Sequence, residues 1–162
     1  MLSGRSHGMR RSGAVSVEMA LVAPLLIVLL FGILEFGLVI KDYLGINQAA
    51  REAARIAAVG APIGTIDVRL DGSAPTIDIS KLTRTYEYRT FSESTGAWSA
   101  WLPLTNVGSG SDTQNSAPEG AQVRVSLTYP HALLTGPLFA RLADDPDTGT
   151  IILTAAMVMR RE

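Results

Sequence analysis

"RRSGAVSVEMALVAPLLIVLLFGILEFG", Arg10 to Gly37, decides how this chain is organised. From Ala14 to Leu34 the only charged side chain is Glu18, and a second carboxylate, Glu35, follows directly. At about 1.5 Å of rise per residue, the apolar run makes about 31 Å of helix, close to the ~30 Å hydrocarbon core of a bilayer. A cleaved secretory signal has a shorter apolar region with a small-residue cleavage site soon after it. Here the run flows into further helix-forming sequence. Arg10-Arg11 alone lacks the rest of a twin-arginine export motif. Arg5, Arg10 and Arg11 all precede the span with no acid among them. The positive-inside rule then puts the N-terminus in the cytoplasm and the remainder outside it.

Composition removes several function classes. The 162 residues suit one modest domain plus a membrane segment. A net charge of −1 and the lack of any basic run beyond the N-terminus argue against nucleic acid as a partner. With no cysteine, neither a disulfide framework nor a thiolate metal site can form. The two histidines, His7 in the N-terminal tail and His131 after a Tyr-Pro turn, give little material for a metal site or a catalytic triad. No catalytic residues, metal or cofactor are expected.

Outward from the apolar run, residues 1–13 read as a disordered basic leader. Residues 14–40 read as a transmembrane helix kinked at Pro24, and 41–60 as its amphipathic continuation to about Val59. In that continuation Lys41, Gln48, Arg51, Glu52 and Arg55 share one face, while Tyr43, Ile46, Ala50, Ala53, Ala54 and Ala57 share the other. Gly60, Pro62 and Gly64 stop it. Residues 61–162 turn to period two. "TIDVRL" (65–70) and "TIDIS" (76–80) read as short strands. "TRTYEYRTF" (83–91) and "AWSAWLPL" (97–104) flank a polar turn as a hairpin, and 109–120 is a polar loop. "QVRVSLTY" (122–129) points Val123, Val125, Leu127 and Tyr129 to one side. Residues 131–144 suggest one or two helical turns, and "TIILTAAMVM" (150–159) a last strand before a charged tail. The fold class is α+β: a long N-terminal helix, then a small, mostly antiparallel sheet.

Glu18 lies five residues beyond Gly13. A basic leader, a glycine, four residues, a glutamate and an apolar span together resemble the processing site of type IV prepilins. In that family a membrane aspartic peptidase cuts after the glycine. Longer segments narrow the likeness. "GAVSVEMALVAPLLIVLLFGILEFG" (13–37), "NQAAREAARIAAVGAP" (47–62), "LTYPHALLTGPLFARL" (127–142) and "ILTAAMVMRRE" (152–162) resemble the TadE-like family of the tight-adherence (Tad) pilus. Residues 65–120 match no family pattern, and Met19 stands where an aromatic residue commonly follows the glutamate.

The resemblance implies a non-catalytic pseudopilin or minor pilin of an adhesion pilus, sited in the bacterial inner membrane. It assigns Gly13 to scission, Ala14 to the mature N-terminus and Glu18 to assembly, with Arg10 and Arg11 as leader charge. The implied partners are a prepilin peptidase, the Flp major pilin, other TadE/TadF-like pseudopilins and the inner-membrane assembly platform. Read by itself, Glu18 has a second explanation: a carboxylate one turn inside a helix can reach water at the headgroup edge. Glu35 reads as an interfacial carboxylate near the outer side, with Lys41 two turns away. The alternative to a pilin is a permanent single-span membrane protein carrying an extracytoplasmic binding domain.

Three further features invite a chemical reading. Asp144–Asp147 ("DDPD") offers oxygen ligands suited to calcium but lacks EF-hand spacing, so an acidic turn is expected. Trp98 and Trp101 fall on opposite faces if their segment is a regular strand; one core and one interface ring are expected, with exposure of one for adhesion or sugar stacking as the alternative. Tyr86 and Tyr88 share a face and are expected to pack.

Overall fold

The computed structural model describes residues 9–162, with side chains from residue 13 onward except at Pro137. Arg5 lies outside the described residues, as do the side chains of Arg10 and Arg11. The chain divides into two compact units between Leu38 and Val39.

Helix α1 (Met9–Ala58) contributes to both units. Residues 9–13 are helical where a disordered leader was expected; residues 1–8 of that leader lie outside the described residues. The helix runs through Pro24, whose missing N–H cannot make the usual bond to the Ala20 carbonyl. In the first unit the apolar side chains stay exposed, Leu21 at 75% and Leu25 at 69%. Among the described residues, this is the one helix long and apolar enough to cross a membrane. Leucine, isoleucine and valine in such numbers do not remain in water without cost. The single-span reading follows from that exposure.

The second unit is α+β. Its core begins on α1, where Ile46, Ala49, Ala50, Ala53, Ala54 and Ala57 are buried. Their spacing of three and four residues makes one helical stripe. Tyr43, expected on that stripe, is exposed. Strands β1 (Thr83–Arg89), β4 (Leu102–Pro103), β7 (Gln122–Ala132) and β8 (Thr150–Arg160) form an antiparallel sheet in the order β4-β1-β7-β8. Val123, Val125, Leu127 and Tyr129 of β7 and Leu153 and Ala155 of β8 join the alanine stripe in one buried cluster. Two small hairpins complete the sheet region. Strand β2 (Phe91–Ser92) pairs with β3 (Ala97–Trp98), and β5 (Asn106–Val107) with β6 (Gln114–Asn115). Helix α3 (Gly136–Phe139) and a 3₁₀ turn (Ala140–Leu142) supply the expected short helical piece.

Two expected strands are absent. "TIDVRL" lies in helix α2 (Ile63–Ser73), and "TIDIS" runs into a 3₁₀ turn at Ile79–Lys81. A strand would put Ile66, Val68 and Leu70 on one face. The helix buries Ile66 and Leu70, four apart, and leaves Val68 71% exposed. The same spacing lines up Asp67 and Asp71 for one guanidinium: Arg84 of β1 donates to Asp67 at 2.9 Å and to Asp71 at 2.6 Å. The Tyr86 hydroxyl donates to Asp67 at 2.6 Å. Burial, reinforced by that carboxylate, holds the phenol protonated far above the ordinary tyrosine range. Tertiary partners on β1 thus override the β-leaning propensity of Thr65, Ile66 and Val68.

The C-terminus of α1 is closed by residues distant in sequence. Gly60 takes a positive φ of 84°. Its amide donates to Ala57 O at 3.0 Å and the Ala61 amide to Ile56 O at 3.4 Å, a Schellman arrangement. Asn115, buried, donates through Nδ2 to Ala57 O at 2.8 Å and Ala61 O at 3.0 Å. The Glu162 amide caps Ala58 O at 3.1 Å. Arg161 then grips Asn115 and its neighbours. Nη1 donates to Asn115 O at 3.0 Å, to Asn115 Oδ1 at 2.9 Å and to Ala117 O, and Nη2 to Gln114 Oε1 at 3.0 Å. A Cβ on Gly60 would stand 2.7 Å from Arg161 Nη2 and push that guanidinium aside, and the positive φ favours glycine there. Arg161 and Glu162, expected in a charged tail, belong to the fold.

Asn115→Ala strips one carbonyl of the α1 terminus and the Ala61 carbonyl of a buried donor, and costs about 2–3 kcal/mol. Denaturant unfolding of the full chain, followed by tryptophan emission, measures this as a lowered midpoint at unchanged slope. An unchanged midpoint contradicts the role given to Asn115.

Candidate functional site

Gly13, Ala14 and Glu18 lie on the N-terminal part of α1, all exposed. Nothing lies within 4 Å of where a Gly13 Cβ would be. Ala14 and Glu18 are four apart, so they stack on one helix face. Helical side chains lean toward the N-terminus, which directs the Glu18 carboxylate along the axis toward the Gly13–Ala14 peptide. Glu18 and Glu35 stand about 26 Å apart along the helix. They differ in surroundings: Glu18 is exposed, whereas Glu35 is buried to 4% exposure. Lys41 pairs with its neighbour Asp42 at 3.6 Å.

Sequence reading missed a buried ionisable pair in the second unit. His131 is a residue of β7, not of a turn after Pro130. Its Nδ1 lies 2.7 Å from Asp42 Oδ2 on α1, with both residues buried. Asp42 occupies a polar position on a helix and His131 the inner face of a strand 89 residues later, so no local pattern links them. His131 Nε2 is buried with no hydrogen-bond partner among the described residues. That is the nitrogen a hydroxyl nucleophile would address in an acid–base dyad. The Asp42–His131 contact links α1 to β7.

The tryptophans also depart from expectation. Their segment is two short strands with a break between, not one regular strand, and both rings meet Arg89. Its guanidinium carbon lies 5.0 Å from the Trp98 centroid and 4.6 Å from that of Trp101. Arg124 stacks on Trp101 at 4.1 Å and donates to Glu87 through Nε at 2.9 Å. Phe91 meets Trp98 edge-on at 5.3 Å. This ladder secures the β2–β3 hairpin to the polar face of the sheet. Tyr86 and Tyr88 pack against the core cluster.

Two of the "DDPD" carboxylates bond to nearby amides and a hydroxyl. Asp145 accepts from the Asp147 amide at 3.1 Å and from Thr148 Oγ1 at 2.8 Å, and Asp144 from the Ile152 amide at 2.7 Å. Those hydroxyl and amide bonds hold the Asp145 carboxyl below its usual range. Among the described residues, no group of three or more histidine, aspartate or glutamate side chains is placed to hold a metal ion.

The family model described as TadE-like protein matches residues 13–55. The match opens at Gly13, takes in Glu18 and Glu35, and ends inside the alanine-rich part of α1. Over this segment, about a quarter of the chain, the sequence is similar to TadE-like proteins. No curated protein and no solved structure matches the chain.

Proposed function

We propose that the chain is a non-catalytic pseudopilin or minor pilin that takes part in building a Tad adhesion pilus. A prepilin peptidase cuts it after Gly13, and Glu18 serves in assembly. The observation that carries this reading is an exposed carboxylate at Glu18, inside a lipid-length apolar run and one turn from Ala14.

Scission adds water across the Gly13–Ala14 peptide and leaves a carboxylate on Gly13 and an ammonium on Ala14. The bond lies in helical backbone, and a peptidase needs it opened. Glycine is about 1 kcal/mol poorer than alanine in a helix, so the helix opens there at least cost. Loss of the leader removes Arg5, Arg10 and Arg11 and no acid, which takes the net charge from −1 to −4. The span loses its cytoplasmic anchor and gains a cation next to an anion. In a bundle of such helices, Glu18 of one subunit pairs with the Ala14 ammonium of a neighbour. A buried carboxylate without that partner costs about 3–5 kcal/mol, which favours one axial register. The partners are the peptidase, the Flp major pilin, other TadE/TadF-like subunits and the inner-membrane assembly platform. The N-terminus faces the cytoplasm and residues from Lys41 onward lie outside. A reporter fused after Glu162 should work only when exported, and cytoplasmic activity would refute this orientation.

Glu18→Ala should still be cut after Gly13 yet fail to co-purify with the major pilin. Glu18→Asp should be intermediate, since one methylene less shortens the reach to the amine. A Glu18→Ala chain that is cut, binds its partners and supports piliation like the parent would leave Glu18 as an ordinary carboxylate at the headgroup edge.

A further inference from the structure

The two edges of the sheet are treated differently. Edge strand β4 is two residues long and contains Pro103, devices that blunt an edge against pairing. Edge strand β8 is eleven residues long, and from Thr150 to Met159 it carries neither a charge nor a proline.

The pairing of β8 with β7 fixes which of its backbone groups are free. The Arg161 amide donates to Ala121 O and the Leu133 amide to Gly149 O. Odd-numbered residues of β8 therefore face β7, and even-numbered ones present N–H and C=O outward. At the start of the strand this outer side is occupied: Thr150 exchanges bonds with Asp145, and the Ile152 amide donates to Asp144. From Thr154 to Arg160 no strand covers it among the described residues. Ile152 and Val158 are exposed on one face of this edge, and Ile151, Met157 and Met159 are only half-covered on the other.

We infer that β8 pairs antiparallel with β8 of a second copy of this chain, about a two-fold axis at Ala156, joining the two sheets into one. The free edge from Thr154 to Val158 is self-complementary in that register. Thr154 faces Val158, and Ala156 faces its own equivalent. Met157 and Met159 meet the partner's Ala155 and Leu153, which closes the half-covered side. Charge selects the antiparallel orientation. The strand is entered from Asp144, Asp145 and Asp147 and leaves through Arg160. Antiparallel pairing sets each Arg160 opposite the partner's Ile152, whose amide holds the Asp144 carboxylate. Neither Arg160 nor Asp144 has an ion-pair partner among the described residues. Parallel pairing would set Arg160 against Arg160. This inference stands apart from scission at Gly13 and from Glu18.

The chain has no cysteine, so Ala156→Cys introduces a single thiol. Residues facing each other in a bonded antiparallel pair have Cα atoms about 5.5 Å apart, within disulfide reach. Copper–phenanthroline oxidation of the full-length variant in membranes should give a species of twice the chain mass. Thr95→Cys, on the exposed β2–β3 turn, should remain monomeric. Val158→Pro removes an outward amide without touching the β7 ladder, and should abolish cross-linking of Ala156→Cys. Arg160→Glu, at a side chain with no ion pair to lose, should reduce cross-linking by opposing Asp144, and Asp144→Lys in the same chain should restore it. The inference is overturned if Ala156→Cys stays monomeric or cross-links no faster than Thr95→Cys. A product joined to a different protein, or cross-linking indifferent to Arg160→Glu, also overturns it.

Discussion

The alanines of α1 set the terms for everything outside the apolar span. Ala49, Ala50, Ala53, Ala54 and Ala57 are buried in one cluster with Val123, Val125 and Leu127 of β7. A helix faced with methyl groups can lie close to a sheet, and a larger residue at any of these positions would have to displace packed neighbours. That closeness needs the helix to end where the sheet permits. Gly60 turns the chain, Asn115 and Glu162 take up carbonyls the helix leaves open, and Arg161 holds Asn115 in place. The last residues of the chain thus complete a helix that starts near its beginning.

One continuous helix meets two solvents. Before Leu38 its apolar residues are exposed and its composition suits lipid; after Val39 its small residues belong to a domain core. A globular domain alone would need no helix of 50 residues, and a membrane anchor alone would need no alanine stripe. An exposed carboxylate within the apolar run costs least if a cation is supplied to it later. Scission at Gly13 would create such a cation one turn away.

The long helix, the alternation of β7 and the final strand were legible because each carries a strong period: Ile46 to Ala57 at three and four, Val123 to Tyr129 at two. Helix α2 was not legible. Thr65, Ile66 and Val68 favour a strand, and the arrangement that outweighs them, Asp67 and Asp71 on Arg84, involves a residue 13 positions further on. The α1 clasp was hidden for the same reason, since Asn115 sits in a polar loop and Arg161 in a charged C-terminus. The Asp42–His131 pair spans 89 residues, beyond any local pattern. At the candidate site, Gly13, Ala14 and Glu18 are neighbours in sequence, so their spacing on one stretch of α1 could be read directly. The burial of Glu35 could not.

Under the proposed function, Gly13–Ala14 is a bond made to be cut. Intact-mass measurement of the protein isolated from a host with an active prepilin peptidase tests it directly. The expected result is a mature chain beginning at Ala14, and a chain that keeps its leader when Gly13 is replaced by a bulky residue. Recovery of only the uncut chain, residues 1–162, would contradict it.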